Sequence, residues 1–299
     1  MKWGYKRAFV RCALLFSAGA ALQFIVGNIQ PEWFRFPLGL ILAINYLYAL
    51  IVLVAKSDKW AWVRQLTDHH ASVSSLASML IMTIAFGLIR QDGSTAGIIG
   101  HLGFRAMSTS WPFCILLFYF ITVLGARAIE EVMHWRRYPM MATIIHAAVF
   151  IVLAAAFFSS GDKAKARIIA EVGKPVHTGV YSHNGRMAVL PFTVTLEDFG
   201  METYPSGEPK SYNSRVLIND VKGEREANIM VNHPARVGAW KIYQVGYDTA
   251  KGASSDISIL ECVRDGWYPV VRTGLWIILS AGAFMALTAG YRRKKEAKA

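Results

Sequence analysis

The sequence predicts an α-helical polytopic membrane bundle of six transmembrane helices, with a β-rich extracytoplasmic domain between helices five and six. Three observations carry that reading. Hydrophobic residues make up 54% of the chain and charged residues only 17%, a balance that points to a membrane protein. Six mostly apolar runs recur along it, the longest able to cross a hydrocarbon core of roughly 30 Å at about 1.5 Å per residue. One polar stretch of 108 residues, Gly161–Tyr268, carries the turn signals and alternation of a folded β domain.

The first run, Ala8–Val26, follows Lys2, Lys6 and Arg7. Its small residues Ser17-Ala18-Gly19-Ala20 resemble a signal-peptide cleavage region, but the run exceeds the usual apolar core of about 7–15 residues. A retained helix is expected. Pro37–Val54, Ser75–Ile89 and Pro112–Ala126 are the second to fourth runs, the latter two short, with Arg90 snorkelling at a boundary. Met140–Ser160 is the fifth, 21 residues without a charge, and Val270–Gly290 the sixth. The expected domains are therefore 1–160, 161–268 and 269–299: five helices with connectors, the β-rich domain, and the last helix with a basic tail.

Within the polar stretch, Ala188–Leu196 alternates apolar and polar residues after Pro191. Tyr204-Pro205-Ser206-Gly207 is a turn signal, and Arg215–Ile218 before Asn219-Asp220 reads as strand and turn. Ala227–Val231, Trp240–Val245 and Ile257–Val263 supply further strands, together fitting a sandwich or open barrel.

A net charge of +12 and a pI near 9.7 raise the question of nucleic acid. Gly161–Tyr268, however, holds 13 basic and 13 acidic residues, leaving 19 and 7 for the rest of the chain. A polyanion-binding domain concentrates charge on its own surface, so no nucleic-acid partner is expected. The excess lies in connectors and tails. Alternate connectors hold fourteen basic residues (Lys2, Lys6, Arg7; Lys56, Lys59, Arg64; Arg127, Arg136, Arg137; Arg292, Arg293, Lys294, Lys295, Lys298) against Arg35, Arg90 and Arg105. By the positive-inside rule both termini are cytoplasmic and Gly161–Tyr268 lies outside. Trp33, Trp60, Trp111, Trp135 and Trp267 fall near run ends, where indoles suit headgroups.

Cys12, Cys114 and Cys262 include no C-x-x-C pair, so neither a disulfide framework nor a zinc ribbon is supported. G-x-S-x-G, P-loop, H-E-x-x-H and G-x-G-x-x-G motifs do not occur. His177, His183 and His233 are spaced by 6 and 50 residues, unlike a compact metal site. Glu197-Asp198 are adjacent on a strand and therefore point to opposite faces, as a solvated strand end would. His69-His70 precede the third helix in a cytoplasmic connector, and His101 lies in an outer connector; either location is compatible with an interface or a ligand contact.

His146 stands apart because it is set in the fifth run, about 9 Å beyond its start and nearer the cytoplasmic leaflet. An imidazole there needs a partner or a cavity. Ala142 and Thr143 precede it by four and three positions, and Val149 and Phe150 follow by three and four. Axial ligation of haem iron suits a neutral imidazole with apolar walls; a hydrogen bond to a neighbouring helix is the other reading.

Leu190–Asp248 contains LPFTVTLEDFGMETYPSGEPKSYNSRVLI and then NIMVNHPARVGAWKIYQVGYD. Motifs of the form F-x-(V/I)-x-L-x-D-F, P-x-G-x-P-K-x-(F/Y)-x-S and V-N-x-P…G…(I/L)-Y-Q occur here in the order found in the ResB/CcsB family of system II cytochrome c biogenesis proteins, which the segment resembles. Gly103-Phe104, Ser110-Trp111-Pro112-Phe113 and Arg264-Asp265 extend the resemblance from about Gln65 to the C-terminus.

In that family the helix entering the outer domain carries a haem-binding histidine, by position His146. The family's usual Asn and Gly beside it are Ile145 and Ala147 here. The resemblance implies a bacterial inner-membrane protein with a periplasmic domain. It implies haem transport, with haem (b-type) transported or transiently bound at His146, the iron's axial ligand. The partners it implies are a CcsA-type WWD-domain membrane protein and apocytochrome c. No WWD segment is present, so the chain is expected to be one component of a cytochrome c haem lyase (synthase) complex rather than an enzyme alone. A haem b membrane subunit of a respiratory oxidoreductase and a non-haem assembly scaffold are the alternatives. The first commonly supplies two axial histidines from its own helices.

Overall fold

The computed structural model describes residues 4–182, 185–206 and 208–296; Lys2, His183, Gly207 and Lys298, which entered the sequence reading, lie outside them. The helices are α1 (Tyr5–Val26), α2 (Leu38–Ala55), short α3 (Ala61–Arg64), α4 (His69–Leu88), short α5 (Gly97–His101), α6 (Trp111–Met133), α7 (Met140–Phe158) and α8 (Tyr268–Glu296). Between α7 and α8 come β1 (Ala164–Glu171), β2 (Pro175–Tyr181), β3 (Met187–Thr203), β4 (Pro209–Asp220), β5 (Gly223–Met230), β6 (Ala235–Val237), β7 (Trp240–Tyr247) and β8 (Ile257–Arg264). The chain forms two compact units, Met1–Gly161 with Trp267–Ala299, and Asp162–Gly266.

In the helical unit, α1, α2, α4, α6, α7 and the first part of α8 are each long and apolar enough to cross a membrane, which suggests a multi-pass membrane protein. Among the run ends that differ from the sequence expectation, two have a clear local cause. The third helix begins at His69 rather than Ser75, because Asp68 accepts the His70 amide (2.8 Å) and caps the first turn. His69 and His70 are therefore the opening residues of α4 and not part of a connector. The fourth helix runs two turns past Ala126 to Met133, carrying Arg127, Glu130 and Glu131 within it. Their spacing pairs them on one helix face, so charge does not end the helix.

Helix α6 is the most buried of the six, and its neighbours explain why. A Cβ on Gly19 of α1 would come within 2.7 Å of Pro112 Cα, so Gly19 serves a close helix crossing. A Cβ on Gly125 of α6 would come within 2.4 Å of the Phe150 ring from α7. Leu50, Met82, Met107, Leu116, Ile121, Val123 and Phe150 belong to the core that this packing encloses.

The second unit is one antiparallel eight-stranded sheet in the order β5-β4-β3-β2-β1-β8-β7-β6. β1 to β5 run as a meander; β8 then returns to pair with β1, Ala164 opposite Arg264 through Glu171 opposite Ile257. The edge strands approach each other: Arg225 of β5 donates to the Arg236 carbonyl of β6 at 2.8 Å. The result is a near-barrel around Ile168, Leu190, Phe192, Val194, Leu196, Val216, Ile218, Ile242 and Leu260. Buried Ser214 of β4 bonds to Gln244 of β7 and Ser258 of β8, two strands that are not its neighbours in the sheet, with Ser214 Oγ 2.8 Å from Ser258 Oγ. A fully satisfied polar knot of this kind fixes which strands face each other across the interior.

Candidate functional site

The site is set by the antiparallel packing of α6 on α7. Phe150 fills the space that Gly125 leaves open. Six residues further along α6 and four residues back along α7, Glu131 meets His146. The imidazole Nδ1 lies 2.9 Å from Glu131 Oε2, and the other carboxylate oxygen, Oε1, accepts from Arg127 Nε at 2.8 Å. Arg127 also reaches Glu130 Oε2 and the Thr67 carbonyl, each at 3.3 Å, while its guanidinium lies 4.8 Å from the Tyr138 ring centre. Glu131 is only 3% exposed. A buried carboxylate is costly without partners, and here one oxygen is taken by a guanidinium and the other by an imidazole.

A carboxylate offers acceptors only, so a neutral imidazole makes this bond as the Nδ1–H tautomer, in which Nε2 carries the lone pair. This is the arrangement in which metal-ligating histidines are usually held, one nitrogen bonded to a carboxylate and the other to the metal. The His146 side chain is 40% exposed on the surface of the helical unit, so the ring is not sealed inside it. The residues fit an iron ligand presented outward. Phe150, expected beside the histidine, turns inward against Gly125 and is buried; Thr143, one turn earlier, is also buried.

The remaining histidines are not drawn to this point. His101 ends the short α5 and is exposed; His177 lies exposed on β2. His233 sits in the turn after β5, its ring near the Val231 carbonyl at 3.2 Å. His69 and His70 gather instead around Asp68. Among the described residues, His146 alone among histidines lies well inside one of the six long helices.

One expectation on the sheet is corrected. Glu197 and Asp198 do not face opposite sides, because the pairing shifts between Leu196 and Asp198 and makes a bulge in mid-strand. Leu196 and Phe199 point into the core, leaving both carboxylates on the outside, where Glu197 approaches Arg215 at 3.5 Å. Cys262 is buried in β8, and burial pushes its thiol up to about 12, which leaves it without thiolate reactivity at neutral pH.

Glu131 was missed in the sequence because it lies beyond the apolar part of its helix. The signal that could have found it is Arg127-x-x-Glu130-Glu131, a charge cluster at helical spacing directly after an apolar run.

Comparison with curated proteins finds no match for the chain. The model of the ResB-like family matches residues 134–271, a segment that begins just after α6 and includes α7 with His146, the whole sheet and the start of α8. The motifs that carried the resemblance have structural reasons within it: Phe192, Val194, Leu196 and Phe199 are core residues, and Ser214 and Gln244 are two of the three members of the buried polar knot. From the helix that carries His146 through the last strand, the matched segment is similar to the ResB-like family.

Proposed function

We propose that this chain handles haem in cytochrome c biogenesis, with His146 as an axial ligand and a CcsA-type membrane protein supplying the opposite one. The ResB-like family suggests cytochrome c biogenesis in general. The observation that carries the finer reading is the Glu131–His146 bond, which leaves Nε2 free on a half-exposed ring partway along an apolar helix.

In this reading the chain's residues do four things. Glu131 holds the proton at His146 Nδ1 and fixes the ring's rotation. Arg127 balances the buried carboxylate and ties it to Thr67. Phe150 and Gly125 set the helix separation that keeps the pair within bonding distance. The apolar α7 around His146 excludes water, which favours a neutral ligand over a hydrated one. Haem is cargo here, bound by its iron and released to apocytochrome c for covalent attachment at C-x-x-C-H.

A partner follows from the count of ligands. Low-spin haem takes two axial residues, and the described residues supply one at this depth. A respiratory haem b subunit would bring both from its own helices, so a shared site is the better reading. The positive-inside pattern gives the orientation proposed with it: both termini in the cytoplasm and the sheet outside. Deleting the chain is expected to abolish covalent haem on C-x-x-C-H acceptors while b-type cytochromes persist. Normal maturation of cytochrome c without it, and with no paralogue present, would overturn the proposal.

A further inference from the structure

A second group of ligating side chains lies at the start of α4. Asp68, His69 and His70 are consecutive, yet their donor atoms all fall within 4.8 Å of one another. His69 Nδ1 lies 3.3 Å and His70 Nδ1 2.5 Å from the same carboxylate oxygen, Asp68 Oδ1. The rings themselves are 3.8 Å apart, and Tyr5 of α1 sets its ring edge-on against both, at 4.4 Å from His70 and 5.8 Å from His69. The cluster is thus held by two helices, fixed on one side by the capping bond from the His70 amide and on the other by Tyr5.

We propose that Asp68, His69 and His70 bind a divalent transition-metal ion of the zinc class. Two imidazoles and a carboxylate suit zinc, which is bound at about 2.0–2.1 Å by nitrogen and about 2.0–2.2 Å by oxygen. In a tetrahedron of those bonds, neighbouring ligand atoms are about 3.3–3.5 Å apart. The His69–Asp68 separation already matches; His70 has to open by roughly 1 Å, a small side-chain rotation. His69 is 67% exposed and His70 21%, so an ion can reach the group from solvent and keep water in the fourth position. The amino end of α4 repels a cation, and the Asp68 charge offsets it. The carboxylate is therefore the ligand on which binding depends most. This site stands apart from His146 and does not rest on the haem reading.

The test is cobalt(II) titration of chelator-stripped, tag-free full-length protein in detergent, followed by the visible ligand-field band and by zinc competition. Wild-type protein is expected to take up one ion per chain. Asp68→Ser keeps a capping hydroxyl for the helix but removes the charged ligand; it and His70→Ala are expected to weaken binding by roughly tenfold or more. His101→Ala and His146→Ala are expected to titrate as wild type, which separates this site from the haem reading. Circular dichroism establishes that each variant keeps its helix content. The proposal is overturned if wild-type protein binds no cobalt or zinc, or if folded Asp68→Ser binds as tightly as wild type. It is equally overturned if His101→Ala removes the band.

Discussion

Replacing Glu131 by glutamine keeps the shape of the side chain and changes what it can accept. In the native pair two donors, Arg127 Nε at 2.8 Å and His146 Nδ1 at 2.9 Å, face two carboxylate oxygens. A glutamine has one carbonyl and one NH2 group, so one of those donors meets another donor. Arg127 keeps Glu130 and the Thr67 carbonyl as partners and holds the carbonyl end of the amide. The amide NH2 then faces His146 Nδ1, which becomes the acceptor, and the imidazole proton moves to Nε2. That is the nitrogen a metal would need. Loss of such a supporting carboxylate typically weakens metal binding by about 10–100-fold, or about 1.4–2.7 kcal/mol.

Stability should fall less than the roughly 3–5 kcal/mol cost of stranding a buried charge, because Arg127 retains Glu130. Haem titration of the full-length protein purified with its CcsA-type partner, followed in the Soret region, reads the affinity; a melting curve reads the stability. Glu131→Ala, with no dipole left to oppose the ring, should keep more ligand-competent histidine than Glu131→Gln if the fold holds. Wild-type affinity and an unchanged spectrum in folded Glu131→Gln would refute the reasoning.

Three further outcomes are expected. The Lys222 amide and the Arg225 guanidinium hold the Asp220 carboxyl below the usual carboxylate value. A lowered folded-state value contributes stability above the unfolded value of about 3.9 that is lost as pH falls through the lower one. Amide protection in the turn between β4 and β5 should therefore decline below about pH 4, and Asp220→Asn should remove that pH dependence while lowering protection at neutral pH. Cys262, buried with its thiol pushed up to about 12, should resist alkylation at pH 8 until the protein is unfolded; modification in the native state, located by peptide mass, would contradict its burial. A phosphatase fused after Ser206 should be active and one fused after Arg137 inactive, with the reverse pattern contradicting the orientation.

Much of the fold was legible because apolarity and alternation are strong signals. The six runs corresponded to six long helices, and the later strands stood where Gly, Pro and Asn turns delimited them. What escaped did so for identifiable reasons. The apolar run of α4 was read from Ser75, yet helical bonding starts at His69 once Asp68 caps it. The early strands β1 and β2 passed unnoticed because β1 turns Ala164, Ala166 and Ala170 inward beside Ile168, a weak hydrophobic signature among Lys165, Arg167 and Glu171. The bulge at Leu196–Asp198 broke the alternation on which the opposite-face argument for Glu197 and Asp198 relied.

The candidate site divides in the same way. His146 was visible as a titratable group in an uncharged helix. Its partner belonged to what looked like a cytoplasmic connector, and only the antiparallel register of α6 on α7 brings Glu131 beside it. The ResB-like motifs lead to the sheet, where they build its core and its buried Ser214–Gln244–Ser258 knot, and not to this pair of helices.

The central claim is tested most directly by the haem spectrum of His146→Ala in the full-length chain purified with its CcsA-type partner. Wild-type complex should show a low-spin spectrum that neither chain gives alone, because the site needs a ligand from each. His146→Ala should lose it while both chains remain assembled, and added imidazole should partly restore it by supplying the missing nitrogen. An unchanged low-spin spectrum in the folded variant complex would contradict the account, as would a wild-type complex that holds no haem.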